Sequence, residues 1–154
     1  MLTYKLVRLI ETHSDTLAAG LLAKVRNSTQ LLDYDKVPPA DLQQRVYEIY
    51  RHLGEWLLSK KETELERRYL EIGARRAAQG LPLSQLTWAI ILTKENLWEF
   101  LKGESGMERP AEAFGRIELL ELLEQFFDRA IHYAAIGYEQ VRATQLVTEM
   151  SVVG

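Results

Sequence analysis

The chain has 154 residues, 47% of them hydrophobic, which is enough for one domain with a sizeable core. Lys and Arg total 19 against 22 Asp and Glu, and the net charge of -3 speaks against a nucleic-acid partner, which requires a basic surface. The sequence contains no cysteine, which excludes disulfides, thiolate metal sites and cysteine nucleophiles and fits a reducing compartment.

No segment of the chain predicts a β-strand or a membrane span. Apolar residues recur at intervals of three and four nearly everywhere, whereas alternation of β-branched and polar residues is scarce. No stretch approaches the roughly 20 apolar residues that a spanning helix requires, and residues 1–8 lack the apolar core of a signal peptide. We therefore expect an all-α, cytoplasmic protein that does not enter the membrane.

The first half of the chain predicts three or four helices. Apolar residues from 2 to 25 fall on one helical face, with a break at Ser14-Asp15 that could begin a second helix. Pro38-Pro39 is suited to open the next helix, which runs to about Ser59. The run Thr63-Glu64-Leu65-Glu66 has the form of a capping box, so a further helix is predicted from there to Gln79.

A tight corner is predicted at Gly80-Leu81-Pro82. Gly80 supplies the left-handed residue that ends a helix, and Pro82 begins the next one with its φ already set. That helix extends from Leu83 to about Lys102 and ends in the turn-rich run of residues 103–106.

The last predicted helix, from Ala111 to about Met150, would span roughly 60 Å at 1.5 Å per residue. Its first half is apolar on several sides and must be enclosed, whereas its end is mostly polar. Residues 1–150 are thus interpreted as a single domain of five or six helices, globin-like or bundle-like. Residues 138–154 are interpreted as an output stalk toward an effector domain. A near-heptad spacing predicts a homodimer seam along Tyr138, Val141, Gln145 and Thr148.

Residues 66–86 resemble the amino-terminal domain of the RsbR and RsbRD type, named for RsbT co-antagonists of the stressosome. The features that carry the resemblance are Gly73, Arg76-Ala77 and the run Gln-Gly-Leu-Pro-Leu at residues 79–83. It continues more weakly through residues 88–101 and 122–130. The resemblance implies a helical, globin-related input module placed ahead of effectors such as STAS domains, histidine kinases or cyclases. It implies no catalytic residues, and some globin-like members carry no haem.

Several large side chains are candidates for a small-molecule pocket, although aromatic residues at helical spacing are also expected in an ordinary core. The candidates are Trp56, Trp88, Trp98, Tyr69 and His132.

A haem cofactor is an alternative, with His13, His52 or His132 as the iron ligand. His13 and His132 lie on or beside apolar stripes, where a hydrogen-bonded core or boundary residue is the competing interpretation. His52 follows Glu48 at i+4, which favours a surface hydrogen-bond network.

A carboxylate-bridged metal site is a second alternative, because Glu121, Glu124, Asp128 and His132 share one helical stripe. Such sites require Glu-x-x-His on two helices, and the sequence contains no Glu-x-x-His, so a solvated acidic face is favoured.

Two further patterns give no evidence of catalysis. The serines occur at predicted turns and caps without a Gly-x-Ser-x-Gly elbow. The basic cluster of Arg67, Arg68, Arg75 and Arg76 alternates with glutamates, which is typical of a solvated helix face. The sequence therefore favours a non-enzymatic input or interaction module that acts on a protein partner or a fused effector. The alternatives are a haem or small-ligand sensor and a metal protein.

Overall fold

Helices make up nearly all of the structure. The computed structural model describes the backbone of residues 2–59, 61–103 and 110–153. Within these ranges the elements are α1 (Leu2–Thr12), α2 (Ser14–Asn27), a 3-10 helix (Leu32–Lys36), α3 (Pro39–Ser59), α4 (Glu62–Ala78), α5 (Leu83–Gly103) and α6 (Pro110–Val153). The predicted all-α fold with a long carboxyl-terminal helix is confirmed. The turn predicted at residues 104–106 lies outside the described ranges.

No described helix combines the length and the apolar composition needed to cross a lipid bilayer.

The corner between α4 and α5 is a Schellman motif. Gly80 has a φ of 77°, in the left-handed region. Its N–H donates to the carbonyl of Ala77 at 3.0 Å, and the N–H of Leu81 donates to the carbonyl of Arg76 at 3.1 Å. These two bonds satisfy carbonyls that a helix end otherwise leaves without partners.

The capping box predicted at Thr63 is wrong. Helix α4 begins at Glu62, and its N-cap is Lys61, which makes no side-chain capping bond. A tertiary contact accounts for the earlier start, because Glu62 Oε1 accepts hydrogen bonds from Tyr133 Oη at 2.6 Å and Arg129 Nε at 3.0 Å. These contacts join the first turn of α4 to α6.

The core is centred on aromatic side chains of α6. The Phe126 ring packs against Phe127 at 5.1 Å and against Trp56 and Tyr69 at 5.8 Å between centroids. Apolar residues on more than one side of α6 are enclosed by the other helices, as the sequence of its first half requires. The side chains beyond residue 141 of this helix are mostly exposed.

Helices α4 and α6 cross with their backbones in contact. A Cβ atom on Gly73 would overlap the carbonyl oxygen of Ala134 and lie 2.9 Å from the backbone nitrogen of Tyr138. On the facing helix, a Cβ atom on Gly137 would overlap the carbonyl oxygen of Leu70. Only glycine permits so close an approach of two backbones, so the two glycines define the crossing point.

Candidate functional site

A cavity of about 50 Å³ lies among α2, α3, α4, α5 and the 3-10 helix. Its walls are mainly apolar, and a few polar side chains reach it; the lining residues are Leu21, Val25, Tyr34, Leu42, Arg45, Val46, Glu48, Ile49, Tyr69, Ile72, Arg76, Leu86, Ala89, Ile90 and Thr93. An apolar space with a few convergent polar groups is the usual form of a small-molecule site. We call it the central cavity.

Arg76 is the most unusual side chain of the central cavity. It is only 4% exposed, and the burial lowers the pKa of its guanidinium. One nitrogen, Nη1, makes both of its polar contacts: it donates to Gln79 Oε1 at 2.7 Å and lies 3.7 Å from Asp41 Oδ2. Among the described residues, Nε and Nη2 have no acceptor. Neither of these two nitrogens is fully buried, so this edge of the guanidinium is free to donate hydrogen bonds to water or to a ligand.

Two tyrosines add hydroxyl groups to the same cavity. The Tyr34 ring lies beneath the Arg76 guanidinium, 5.8 Å from its carbon to the ring centroid. Burial raises the pKa of Tyr34 to about 12, against the opposing effect of the Arg76 charge, and burial likewise raises the pKa of Tyr69. Neither hydroxyl has a hydrogen-bond partner in the described part of the chain. Both are neutral groups that can still donate a hydrogen bond.

The acidic side chains near Arg76 are already engaged by a second arginine. Arg45 Nη1 donates to Glu48 Oε2 at 2.8 Å, and its buried Nε lies 3.5 Å from Asp41 Oδ1 without forming a hydrogen bond. Asp41 is therefore shared between two guanidiniums and lies at the longer distance from Arg76. Among the described side chains, Arg76 thus has no carboxylate closer than the shared Asp41 at 3.7 Å.

The five side chains predicted to form a pocket do not converge. Tyr69 lines the central cavity and contacts Phe126 with its ring. Trp56 is buried against Phe126 and lines a different cavity, and its Nε1 has no partner. Trp88 and Trp98 lie on α5, partly buried against the core, while His132 is exposed beside the Tyr133 ring.

The three histidines proposed as iron ligands lie on different elements. His13 is the residue between α1 and α2, and its ring lies 5.3 Å from that of Phe100. His52 on α3 is half-buried, and burial together with the nearby Arg68 charge lowers its pKa to about 4. Its Nδ1 has no hydrogen-bond partner, so the surface network predicted for His52 is wrong.

The proposed metal ligands on α6 are distributed along its surface. Glu124 forms an ion pair with Lys94 at 2.8 Å, whereas Glu121, Asp128 and His132 are exposed. Within the described ranges, no three His, Asp or Glu side chains are placed so as to hold a metal ion.

Arg76 is the functional candidate that sequence reasoning assigned wrongly, because it was placed on a solvated face. Arg67 does lie on such a face, paired with Glu64 at 2.9 Å and Glu71 at 3.3 Å. Arg76, however, continues the buried stripe of Leu65 and Tyr69 at helical spacing. That periodicity could have predicted its burial. Arg76 was instead grouped with the adjacent arginines, which are typical of an exposed face.

A second buried polar group, Asn96 on α5, was not predicted from the sequence either. Its Nδ2 donates to the Leu17 carbonyl at 2.9 Å and to Tyr50 Oη at 2.8 Å, and its Oδ1 accepts from Lys24 Nζ at 2.8 Å. A Cβ atom on Gly20 would lie 2.8 Å from this Oδ1, so the absence of a side chain there makes room for the amide. Because its hydrogen bonds are made within the protein, Asn96 holds α2, α3 and α5 together.

Residues 15–151 match the family described as the RsbT co-antagonist protein rsbRD N-terminal domain. No curated protein and no solved structure matches the chain. The match runs from the first turn of α2 to the last turn of α6 and includes the Gly80 corner, and α1 precedes it. The chain therefore belongs to the family of RsbT co-antagonist rsbRD N-terminal domains.

Proposed function

We propose that this chain is a non-catalytic input module of a signalling protein, in which the state of the central cavity determines the position of α6. Its family of regulatory co-antagonist domains supports a stressosome-type role. The observation that carries the proposal is that α4 lies between the central cavity and α6. Tyr69, Ile72 and Arg76 on α4 line the cavity, and Gly73 on the same helix contacts α6.

The contact between α4 and α6 supports transmission because it leaves no space for the helices to move closer. At Gly73 and Gly137 backbone lies on backbone, and packed interfaces change between discrete arrangements rather than deforming continuously. A hydrogen bond from Tyr138 Oη to the Leu81 carbonyl, at 2.6 Å, also joins α6 to the corner that follows α4. A displacement of α4 is therefore expected to move α6 with it.

The carboxyl-terminal part of α6 supports an output through a second copy of the chain. Leu146 is 51% exposed and Met150 is 73% exposed, one helical turn further on. The predicted seam faces elsewhere: Tyr138 bonds to Leu81, and Val141, Gln145 and Thr148 line an open groove with residues of α4. We expect homodimers to pair along the side that carries Leu146 and Met150, where apolar surface would be buried, and we expect an effector to follow this stalk.

Sedimentation equilibrium tests the dimer. Leu146→Glu should weaken self-association, because a charge would enter the apolar contact. Gln125→Glu adds the same charge at an exposed site on the enclosed half of α6 and should leave self-association unchanged. Equal association of the two variants would contradict pairing along this side of the stalk.

The transmission itself is tested by measuring the position of α6 with spin labels. The chain has no cysteine, so cysteines introduced at the exposed Ala19 on α2 and Ala143 on α6 are the only labelling sites. Ala89→Leu fills the central cavity without adding charge. We expect it to shift the Ala19–Ala143 distance by about 1–2 Å, the size of typical helix shifts.

Ala23→Leu is the matched control, since Ala23 is exposed on α2 and its enlargement leaves the cavity unchanged. Identical distance distributions for the two leucine variants would overturn the proposed coupling.

The proposal includes no cofactor. The histidines considered as iron ligands lie on separate elements, and His132 is exposed. Protein expressed with a haem precursor should show no Soret band; one haem per chain would instead support the haem sensor.

A further inference from the structure

We infer that the central cavity binds a short carboxylate, of the size of acetate or propionate, with the carboxylate on the unpaired edge of Arg76. The inference rests on the proposed function and deepens it, because it names the chemical class of the ligand that the input module would detect.

The charge of Arg76 favours an anionic ligand. Burial of a cation is costly unless it is paired and hydrogen-bonded, and this guanidinium uses a single nitrogen for its contacts. Among the described side chains, the carboxylate that pairs with Arg76 is Asp41, which is 3.7 Å away and shared with Arg45. A carboxylate matches the two parallel N–H bonds that the free edge of a guanidinium offers, and a bidentate pair of this kind is strong and directional.

The size of the cavity limits the ligand. Its volume is about 50 Å³. Since one water molecule requires about 10–15 Å³ of such space, the cavity accommodates roughly three to five non-hydrogen atoms. Acetate and propionate fall within this range, whereas aromatic acids and long-chain fatty acids exceed it.

The walls distinguish a carboxylate with a short alkyl group from an inorganic anion. Most lining residues are aliphatic, among them Leu86, Ala89 and Ile90 on α5, so the part of the ligand that points away from Arg76 must be apolar. Phosphate or sulfate would leave several oxygens without donors in such surroundings. The neutral hydroxyls of Tyr34 and Tyr69 also line the cavity, as does Arg45, whose buried Nε is a further donor without a hydrogen bond.

The experiment is a titration of the ¹⁵N-labelled chain with propionate, followed by ¹H–¹⁵N correlation spectra at constant ionic strength. Propionamide is the matched probe, because it has the same shape and number of heavy atoms without the charge. We expect saturable shifts at amides around the cavity and a Kd for propionate about ten-fold lower than that for propionamide, as a charge-assisted bidentate contact implies.

Two variants test the site itself. Arg76→Lys keeps the charge but removes the fork, so propionate should bind about ten-fold more weakly. Arg75→Lys, the same change on the neighbouring residue outside the cavity, should leave the Kd unchanged. Ala89→Leu should abolish binding by filling the space while leaving Arg76 intact, and it decides the matter if Arg76→Lys fails to fold.

Three results would each overturn the inference: equal affinities for propionate and propionamide, unchanged propionate binding by folded Arg76→Lys, or the absence of saturable shifts near the cavity. The outcomes separate this inference from the proposed function. Propionate binding without any change in the Ala19–Ala143 distance would refute the coupling alone. A distance shift in Ala89→Leu, together with no propionate binding by the wild-type protein, would refute the ligand alone.

Discussion

The two faces of α4 differ in how closely they are packed. On the side of α6, Gly73 and Gly137 bring two backbones into contact, and no additional atom can be accommodated. On the side of the central cavity there is unfilled space, and Arg76 and Tyr69 carry polar groups without partners. The comparison teaches that one helix can combine a stiff contact with an adjustable one. In the proposed function, a change on the adjustable face would be transmitted by the stiff face.

The largest change in the free energy of unfolding is expected where α4 and α6 cross. Gly137→Ala would place a methyl group against the carbonyl of Leu70, and the helices must separate to relieve the overlap. We expect a loss of about 3 kcal/mol in the free energy of unfolding, at the upper end of overpacking effects, measured by urea denaturation. Gly54→Ala on α3 is the control, because its new methyl would lie 3.7 Å from Val7 Cγ1, an ordinary contact. A similar cost for both variants would show that the crossing is not special.

The next largest loss of stability is expected at the carboxyl end of α4. Gly80→Val puts a β-branched residue at a φ of 77°, and this conformation costs roughly 1–2 kcal/mol in an L-residue. Apart from Gly80 and its chain neighbours, no heavy atom lies within 4 Å of the added Cβ, so the penalty comes from the local backbone conformation and not from a tertiary clash. Gly80→Asn should cost less, since asparagine tolerates left-handed backbone. An unchanged melting temperature for Gly80→Val would contradict the Schellman motif as a determinant of stability.

The sequence predicts some of these features of α4 and not others. The helices, the Gly80 corner and the enclosed first half of α6 follow from local signals: periodicity, glycine and proline placement, and apolar content. The crossing does not, because Gly73 and Gly137 lie far apart in the sequence, and only the fold brings them together. Contact between residues far apart in sequence is tertiary information.

The candidate site was less predictable than the fold for a related reason. Of the five side chains proposed for a pocket, only Tyr69 lines the central cavity. Aromatic residues were selected for their size, yet most of them fill space rather than border it. Arg76 was predicted to be exposed because arginine is usually exposed. Its position on the helical stripe of Leu65 and Tyr69 instead predicts burial, and the position proved decisive.

A smaller effect is expected where α4 covers α3, over a second cavity lined by His52 and Arg68. Burial and the Arg68 charge lower the pKa of His52 to about 4, from 6.5. Between these two values the unfolded chain binds more protons than the folded one, so stability should fall as the pH decreases through this window. Because His52 is only half-buried, we expect a loss of about 1 kcal/mol rather than the full value of the shift.

Unfolding curves recorded between pH 7 and pH 4 test this expectation. His52→Gln should flatten the pH dependence, and the exposed His132→Gln variant should retain it. Equal slopes in wild type and His52→Gln would show that His52 does not contribute to the acid sensitivity.

The smallest effect, opposite in sign, is expected on the adjustable face. Ala89→Leu adds three carbon atoms beside a cavity of about 50 Å³ whose walls are mainly apolar, so the side chain can gain contacts with the apolar lining, and these outweigh the cost of the small helix shift proposed above. We expect a stabilisation of about 0.5–1 kcal/mol, as cavity filling commonly gives. Calorimetric melting of Ala89→Leu beside Gly137→Ala then makes the comparison quantitative. If both added side chains destabilise the protein to a similar degree, the two faces of α4 are equally stiff, and the cavity is too rigid to serve as an input.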